Sequence, residues 1–347
     1  MLTQNRQIQE TIKFVSDKSF VLENGMELPS LEIGYSTLGK LNAQKDNVVW
    51  ICHALTGSGN PLEWWSGLVG HRKLFDPRKY YIVCANMLGS CYGTTGPLSI
   101  NPTTGEPYYG NFPAITNRDI VRANIELQKY LGIDRIHLCI GGSMGGQQVL
   151  EWSVFRPDVI DNVVLIATNA KHSPWGIAFN EAQRMAIEAD PTIKNNSPQA
   201  GNSGLKAARA IGMLSYRSYQ TFDKTQSDQE DNPSTFLASS YMRHQGDKLI
   251  RRFNSQSYMI LLKAMDEHNV GRARGGLINA LGKIKSRTLV IGISSDILFP
   301  ICEQKFIANH VSGAAYREIV SDFGHDCFLI EYNQLTSLLK EFLYADH

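Results

Sequence analysis

The sequence predicts an α/β fold, a mostly parallel, doubly wound sheet carrying a helical lid insertion. Two observations lead there. Apolar runs of strand length alternate with amphipathic stretches of helix length up to residue 170, and the alternation resumes at residue 286. In between, residues 171–285 are polar and helix-like, with breaks at Asp190-Pro191 and in a Ser/Asp/Gln/Asn-rich stretch at 224–234. No run there resembles a buried parallel strand. The expected organisation is one sheet domain built from residues 1–170 and 286–347, with 171–285 placed as a lid over the sheet's carboxyl edge.

Each element has its own signal. Residues 1–18 are polar and read as a loose arm. Residues 20–28 place apolar side chains on both sides of Asn24-Gly25, a hairpin pattern, and 31–38 continues as a third strand. Residues 47–52 form an apolar run ending in the loop His53-Ala-Leu-Thr-Gly-Ser-Gly59, and residues 80–85 form another ending in a long glycine-rich loop. Residues 117–131 read as an amphipathic helix, with Ile120, Val121, Ile125, Leu127 and Leu131 on one side and Gly132 as the stop. A strand at 136–140, a helix reaching Phe155 and a strand at 162–167 complete the first half. After the insertion come strands at 287–293 and 315–320, a helix near 303–310 and a last helix at 328–344.

Composition excludes several classes. With 34 basic and 33 acidic residues the formal net charge is +1, so no basic face is expected for nucleic acid or a membrane surface. No apolar run approaches membrane-spanning length, and the first residues lack the apolar core of a signal peptide. The six cysteines are scattered, several inside strand-like runs, as buried thiols in a reducing compartment are. A cytoplasmic enzyme with no bound metal or cofactor is the expectation.

The chemistry centres on Gly141-Gly-Ser-Met-Gly-Gly146, a G-x-S-x-G sequence lying between a strand and a helix. In that setting Ser143 sits on a strained turn that lifts its hydroxyl clear of the sheet, and the N–H of Met144 opens the helix beside it as an oxyanion donor. A serine nucleophile needs a base and an acid to orient that base. Asp296 follows the strand at 287–293, and His325 follows the strand at 315–320, so both fall in chain order on loops at the edge where the serine emerges. The second oxyanion donor belongs on a loop after an earlier central strand. Leu55 is assigned to it, with Thr56 lining the pocket.

With these residues placed, the chain resembles the homoserine O-acyltransferases of the α/β-hydrolase superfamily, in particular the homoserine O-acetyltransferase group of methionine biosynthesis. The resemblance covers nearly the whole chain. It rests on His53-Ala-Leu-Thr-Gly57, Gly89-Ser-Cys-Tyr-Gly-Thr-Thr-Gly-Pro97, Asn111-Phe-Pro-Ala-Ile-Thr-Asn-Arg-Asp119 and the serine turn. It adds Ala208-Arg-Ala-Ile-Gly-Met-Leu-Ser-Tyr-Arg-Ser218, Phe253-Asn-Ser-Gln-Ser-Tyr258, Ala264-Met-Asp266 and Gly324-His-Asp326.

The resemblance implies roles position by position. Ser143, Asp296 and His325 match the family's nucleophile, acid and base, and Leu55 and Met144 its oxyanion donors. Arg209, Tyr216 and Asp326 match groups that bind the amino-acid acceptor. Physical chemistry agrees, because a zwitterion offers a carboxylate to a guanidinium and an ammonium to a carboxylate. Acetyl-CoA is the implied co-substrate, L-homoserine the implied acceptor, and a homodimer through the lid helices the implied assembly. Serine as acceptor, succinyl-CoA as donor, and an esterase or thioesterase of the same fold stay open at this stage.

Overall fold

Apolar runs of four residues or more bury both faces of a strand, and such runs make the middle of the sheet. The computed structural model describes residues 12–229 and 234–344. Its strands are β1 (Ile12–Ser16), β2 (Phe20–Val21), β3 (Glu27–Leu28), β4 (Leu31–Leu38), β5 (Val48–Cys52), β6 (Tyr81–Ala85), β7 (Ile136–Gly142), β8 (Ile160–Ile166), β9 (Arg287–Ile293) and β10 (Ala315–Ile319). Eight of them form one sheet in the order β1-β4-β6-β5-β7-β8-β9-β10, while β2 and β3 pair separately across the Asn24-Gly25 turn. The β1–β4 and β4–β6 pairs are antiparallel, and every pairing from β6 onward is parallel.

The helices are α1 (Pro61–Trp64), α2 (Asn117–Tyr130), α3 (Met144–Phe155), α4 (Pro174–Glu188), α5 (Asn202–Tyr216), α6 (Tyr219–Gln226), α7 (Leu237–Ile250), α8 (Ser255–Asp266), α9 (Leu277–Leu281), α10 (Ile301–His310) and α11 (Tyr332–Tyr344). Thr116 caps α2 and forms a reciprocal box with Asp119, and Ser173 caps α4 just before its first-turn proline. Helices α4 to α9 all fall between β8 and β9.

Alternation along each strand divides the core between two faces. On β5, Val48, Trp50 and Cys52 face α2 and α3, where Trp152 meets Trp50 edge to face at 5.0 Å. Val49 and Ile51 face the opposite layer, with Leu335, Leu339 and Phe342 of α11. No described helix is long and apolar enough to cross a membrane.

Two readings of the chain change. Residues 12–16, read as part of a loose arm, form β1 at the sheet's edge, and residues 1–11 lie outside the described part. The edge position explains this, since β1 borrows register from β4 and needs little burial of its own. The last helix begins at Tyr332 instead of 328, because Gly324–Leu329 is a tight 3-10 turn.

Candidate active site

Strand β7 ends at Gly142 and α3 begins at Met144, leaving one residue for the reversal. Ser143 takes φ 58 and ψ −129, a sparsely populated conformation that persists only where the surroundings impose it. They do so closely. A Cβ at Gly141 would lie 2.5 Å from the Gly145 backbone, and one at Gly145 would collide with the Cys52 carbonyl. The Ser143 N–H donates to the Ile166 carbonyl at 2.9 Å, and the Thr168 hydroxyl donates to the Ser143 carbonyl at 2.9 Å. Met144 supplies the first N–H of α3, which has no acceptor inside the helix.

The loops after β9 and β10 bring Asp296 and His325 together. His325 Nδ1 is 2.6 Å from Asp296 Oδ2, and Asp296 Oδ1 accepts from the N–H groups of Leu298 (2.8 Å) and Phe299 (2.9 Å). The carboxylate is thus fixed on one oxygen by backbone and presents the other to the imidazole. The His325 ring stacks on Phe299 at 5.1 Å and meets Phe328 edge-on at 5.6 Å. Burial opposes the imidazolium, but the charge and hydrogen bond of Asp296, with Asp326 adding to them, carry the His325 pKa above its ordinary 6.5.

The loop after β5 closes the other side. A turn from the Gly57 N–H to the Ala54 carbonyl (2.8 Å) places Leu55 at its tip. His53 braces the turn from within. Burial lowers its pKa to about 4, so it is a neutral ring that reaches the Ala54 carbonyl from Nδ1 (2.9 Å) and accepts the Met87 N–H at Nε2 (3.2 Å).

A cavity of about 180 Å³ joins these parts, and Ser143, His325, Leu55 and Thr56 all line it. Arg209, Tyr216 and Asp326 line it too. The Arg209 guanidinium lies 5.3 Å from the centre of the Tyr216 ring and has no carboxylate partner among the described residues. The Tyr216 ring in turn sits 5.9 Å from that of His325. Asp326 meets Arg217 Nε at 3.3 Å. Two of the residues singled out from sequence do not line it: the Met144 side chain is fully buried, and Asp296 reaches the site only through His325.

Sequence reasoning passed over three residues that the structure brings to this place. Arg252, after α7, reaches Thr56 and Tyr92; Asn180 of α4 lines the cavity; Arg217 pairs with Asp326. Arg217 stands inside a quoted motif and Arg252 directly before another, but their partners are remote in the chain. Asn180 carries no local signal. Among the described residues no group of three or more His, Cys, Asp or Glu side chains is arranged to hold a metal ion.

A profile of the alpha/beta hydrolase fold family matches residues 47–332. A homoserine O-acetyltransferase of Cyclobacterium marinum is 54% identical over 329 residues, covering 95% of this chain and 94% of its own. One from Trichormus variabilis is 45% identical, with 93% and 91% covered. Among solved structures, a homoserine O-acetyltransferase from Bacillus anthracis has a TM-score of 0.89 at 26% identity, over 97% of this chain and 98% of that one. Esterase E22 has a TM-score of 0.88 at 23% identity over 96% and 99%, a likeness of fold alone.

Proposed function

The chain belongs to the homoserine O-acetyltransferase family of the alpha/beta hydrolase fold and is an acyltransferase, and from that premise we propose that it moves an acetyl group from acetyl-CoA to the side-chain hydroxyl of L-homoserine in methionine biosynthesis. One observation carries the reading: a single cavity is lined by an elbow serine, by the histidine of a buried His–Asp pair and by an arginine with no carboxylate partner among the described residues. The first two suit an acyl-enzyme. The third suits the carboxylate of an amino-acid acceptor.

In this mechanism His325, oriented through Nδ1 by Asp296, takes the Ser143 proton as Oγ attacks the thioester carbonyl. The N–H groups of Leu55 and Met144 receive the oxyanion, each contributing roughly 3 kcal/mol to the transition state. The C–S bond breaks, CoA leaves with the proton, and acetyl-Ser143 remains. Homoserine, its carboxylate on Arg209 and its ammonium near Asp326, gives its hydroxyl proton to His325 and attacks the ester. Ser143 leaves with that proton. The inserted helices act as a lid that keeps water from the acyl-enzyme. No metal takes part.

Two further parts belong to the same reading. Two copies pair through the inserted helices, on which Leu214, Tyr219, Phe236 and Leu237 stand exposed, and sedimentation of a dimer would support this. The location is the cytoplasm, consistent with free, mostly buried cysteines. Neither nucleic acid nor a membrane is a partner.

The test is thiol release from acetyl-CoA with no acceptor, with L-homoserine and with L-serine, and with succinyl-CoA as a matched donor. Release that depends on homoserine and acetyl-CoA supports the proposal. Equal release without amino acid makes water the acceptor, and preference for serine or succinyl-CoA replaces one substrate.

A further inference from the structure

Asn180 contributes a polar group to the cavity that the mechanism above does not use. Asn180 is 4% exposed, yet it lines the same cavity as Ser143, His325, Arg209 and Asp326. Its orientation is fixed by chemistry. Asp266 Oδ1 can only accept, and it stands 2.8 Å from Asn180 Nδ2 while the second Asp266 oxygen pairs with Arg184 at 2.6 Å. The same Nδ2 is 3.1 Å from Nε2 of His172, an imidazole that burial keeps neutral by lowering its pKa to about 4. Both amide protons are therefore claimed on one side.

The carbonyl end has no such partner. Asn180 Oδ1 makes no hydrogen bond to a described residue, and it is not among the polar atoms sealed from solvent without one. What remains is a bare acceptor held rigidly at the cavity wall. A group like this cannot take a carboxylate. It can take an N–H or an O–H, and the acceptor's hydroxyl proton is already directed to His325. Asp326, the carboxylate among the residues lining the cavity, shares its charge with Arg217 at 3.3 Å.

We propose that Asn180 Oδ1 receives a hydrogen bond from the ammonium of the amino-acid acceptor, and that Asn180 is a specificity-determining residue for an α-amino group. This rests on the acceptor being an amino acid, as proposed above. Asp266, Arg184 and His172 are positioning residues that present the amide. The consequence is discrimination against a hydroxy acid of the same length that lacks the amine, because such a molecule leaves a buried acceptor unpaired.

The experiment compares L-homoserine with 4-hydroxybutyrate, which has the same hydroxyl and carboxylate but no ammonium. Each is measured by kcat/KM, or by Ki for a ligand too slow to turn over, in the wild type, Asn180→Ala and Asn180→Ser. Circular dichroism and a thermal melt establish that each variant is folded. The ratio of the two ligands is the readout, since a general loosening of the inserted helices moves both values together. The expected result is a fall of about tenfold or more in preference for homoserine, the size of a lost charge-assisted hydrogen bond. Equal losses for both ligands would overturn the proposal and leave Asn180 a brace. A change confined to KM for acetyl-CoA would also overturn it, by assigning Oδ1 to an amide N–H of the donor. Wild-type protein that releases thiol equally without any amino acid would instead remove the transferase reading, and this inference with it.

Discussion

Arg252 Nη1 donates to the Thr56 carbonyl at 2.5 Å, so a residue that follows α7 holds the loop carrying the Leu55 N–H across a separation of 196 residues. The same Nη1 reaches the Tyr92 hydroxyl at 2.7 Å, which adds the loop after β6 to the clamp. An oxyanion donor works only if its direction is fixed before the charge appears. Arg252→Met should therefore lower kcat by about tenfold, while KM for homoserine changes little, as expected for an interaction realised in the transition state. Steady-state kinetics decide it. A loss confined to KM would make Arg252 a binding residue instead.

Ser143 carries backbone strain at the position proposed for the nucleophile, and two substitutions separate the strain from the chemistry. At φ 58 and ψ −129, glycine is at ease and alanine is not. Ser143→Gly should stabilise the fold by about 1–2 kcal/mol relative to Ser143→Ala, and both should lose turnover. Denaturant melts of the pair measure the difference. Equal stabilities would mean that the elbow holds no strain, and retained turnover in either would end the role of Ser143 as nucleophile.

The acid limb of activity follows from His325. As the proposed base it must be neutral, and its pKa is held above 6.5 by Asp296 against the opposing effect of burial. Activity should rise with pH through a midpoint above 6.5. Asp296→Asn removes the main raising influence, so that midpoint should move down while the plateau falls by a factor on the order of 10³–10⁴ through loss of ring orientation. Linkage gives the matching stability effect. A histidine with a raised folded pKa stabilises the protein fully below its unfolded pKa, and that contribution is lost as pH rises through the folded value. A pH–rate profile whose limb stays in place in Asp296→Asn would remove Asp296 as its cause.

What sequence could read here depended on whether the signal was local. Strands β4 and β9 appear at the limits read from their apolar runs, and the elbow, the Asp296 loop and the His325 loop follow because each lies just past a strand of one sheet. Strand β1 escaped because an edge strand takes its register from β4 and shows a burial pattern too weak to mark it. Arg252, Asn180 and Arg217 escaped for a different reason. Their partners, Thr56, Asp266 and Asp326, are distant in the chain, and no periodicity records which inserted segment will meet which other helix or which loop of the sheet.

Gly324 shows how tightly the inserted helices are seated on the loop that carries His325. It has φ +65, and a Cβ there would lie 2.8 Å from both Arg217 C and Ser218 N and 2.9 Å from the Tyr216 carbonyl. On either side of this approach, the Ser218 and Thr221 hydroxyls donate to the Asp322 carbonyl. Gly324→Ala must therefore either strain the turn or push the end of α5 outward, taking Tyr216 from beside His325. A suitable control is Gly105→Ala, because Gly105 has φ +75 with nothing near its absent side chain. The control should cost about 1 kcal/mol, the conformational penalty alone. Gly324→Ala should cost at least about 1–3 kcal/mol more through overpacking, and should lower acyl transfer at temperatures where the protein is still folded. Thermal melts and thiol-release rates for the two variants make the comparison. If both lose only the penalty of the control, the contact between α5 and the His325 loop yields readily and positions nothing.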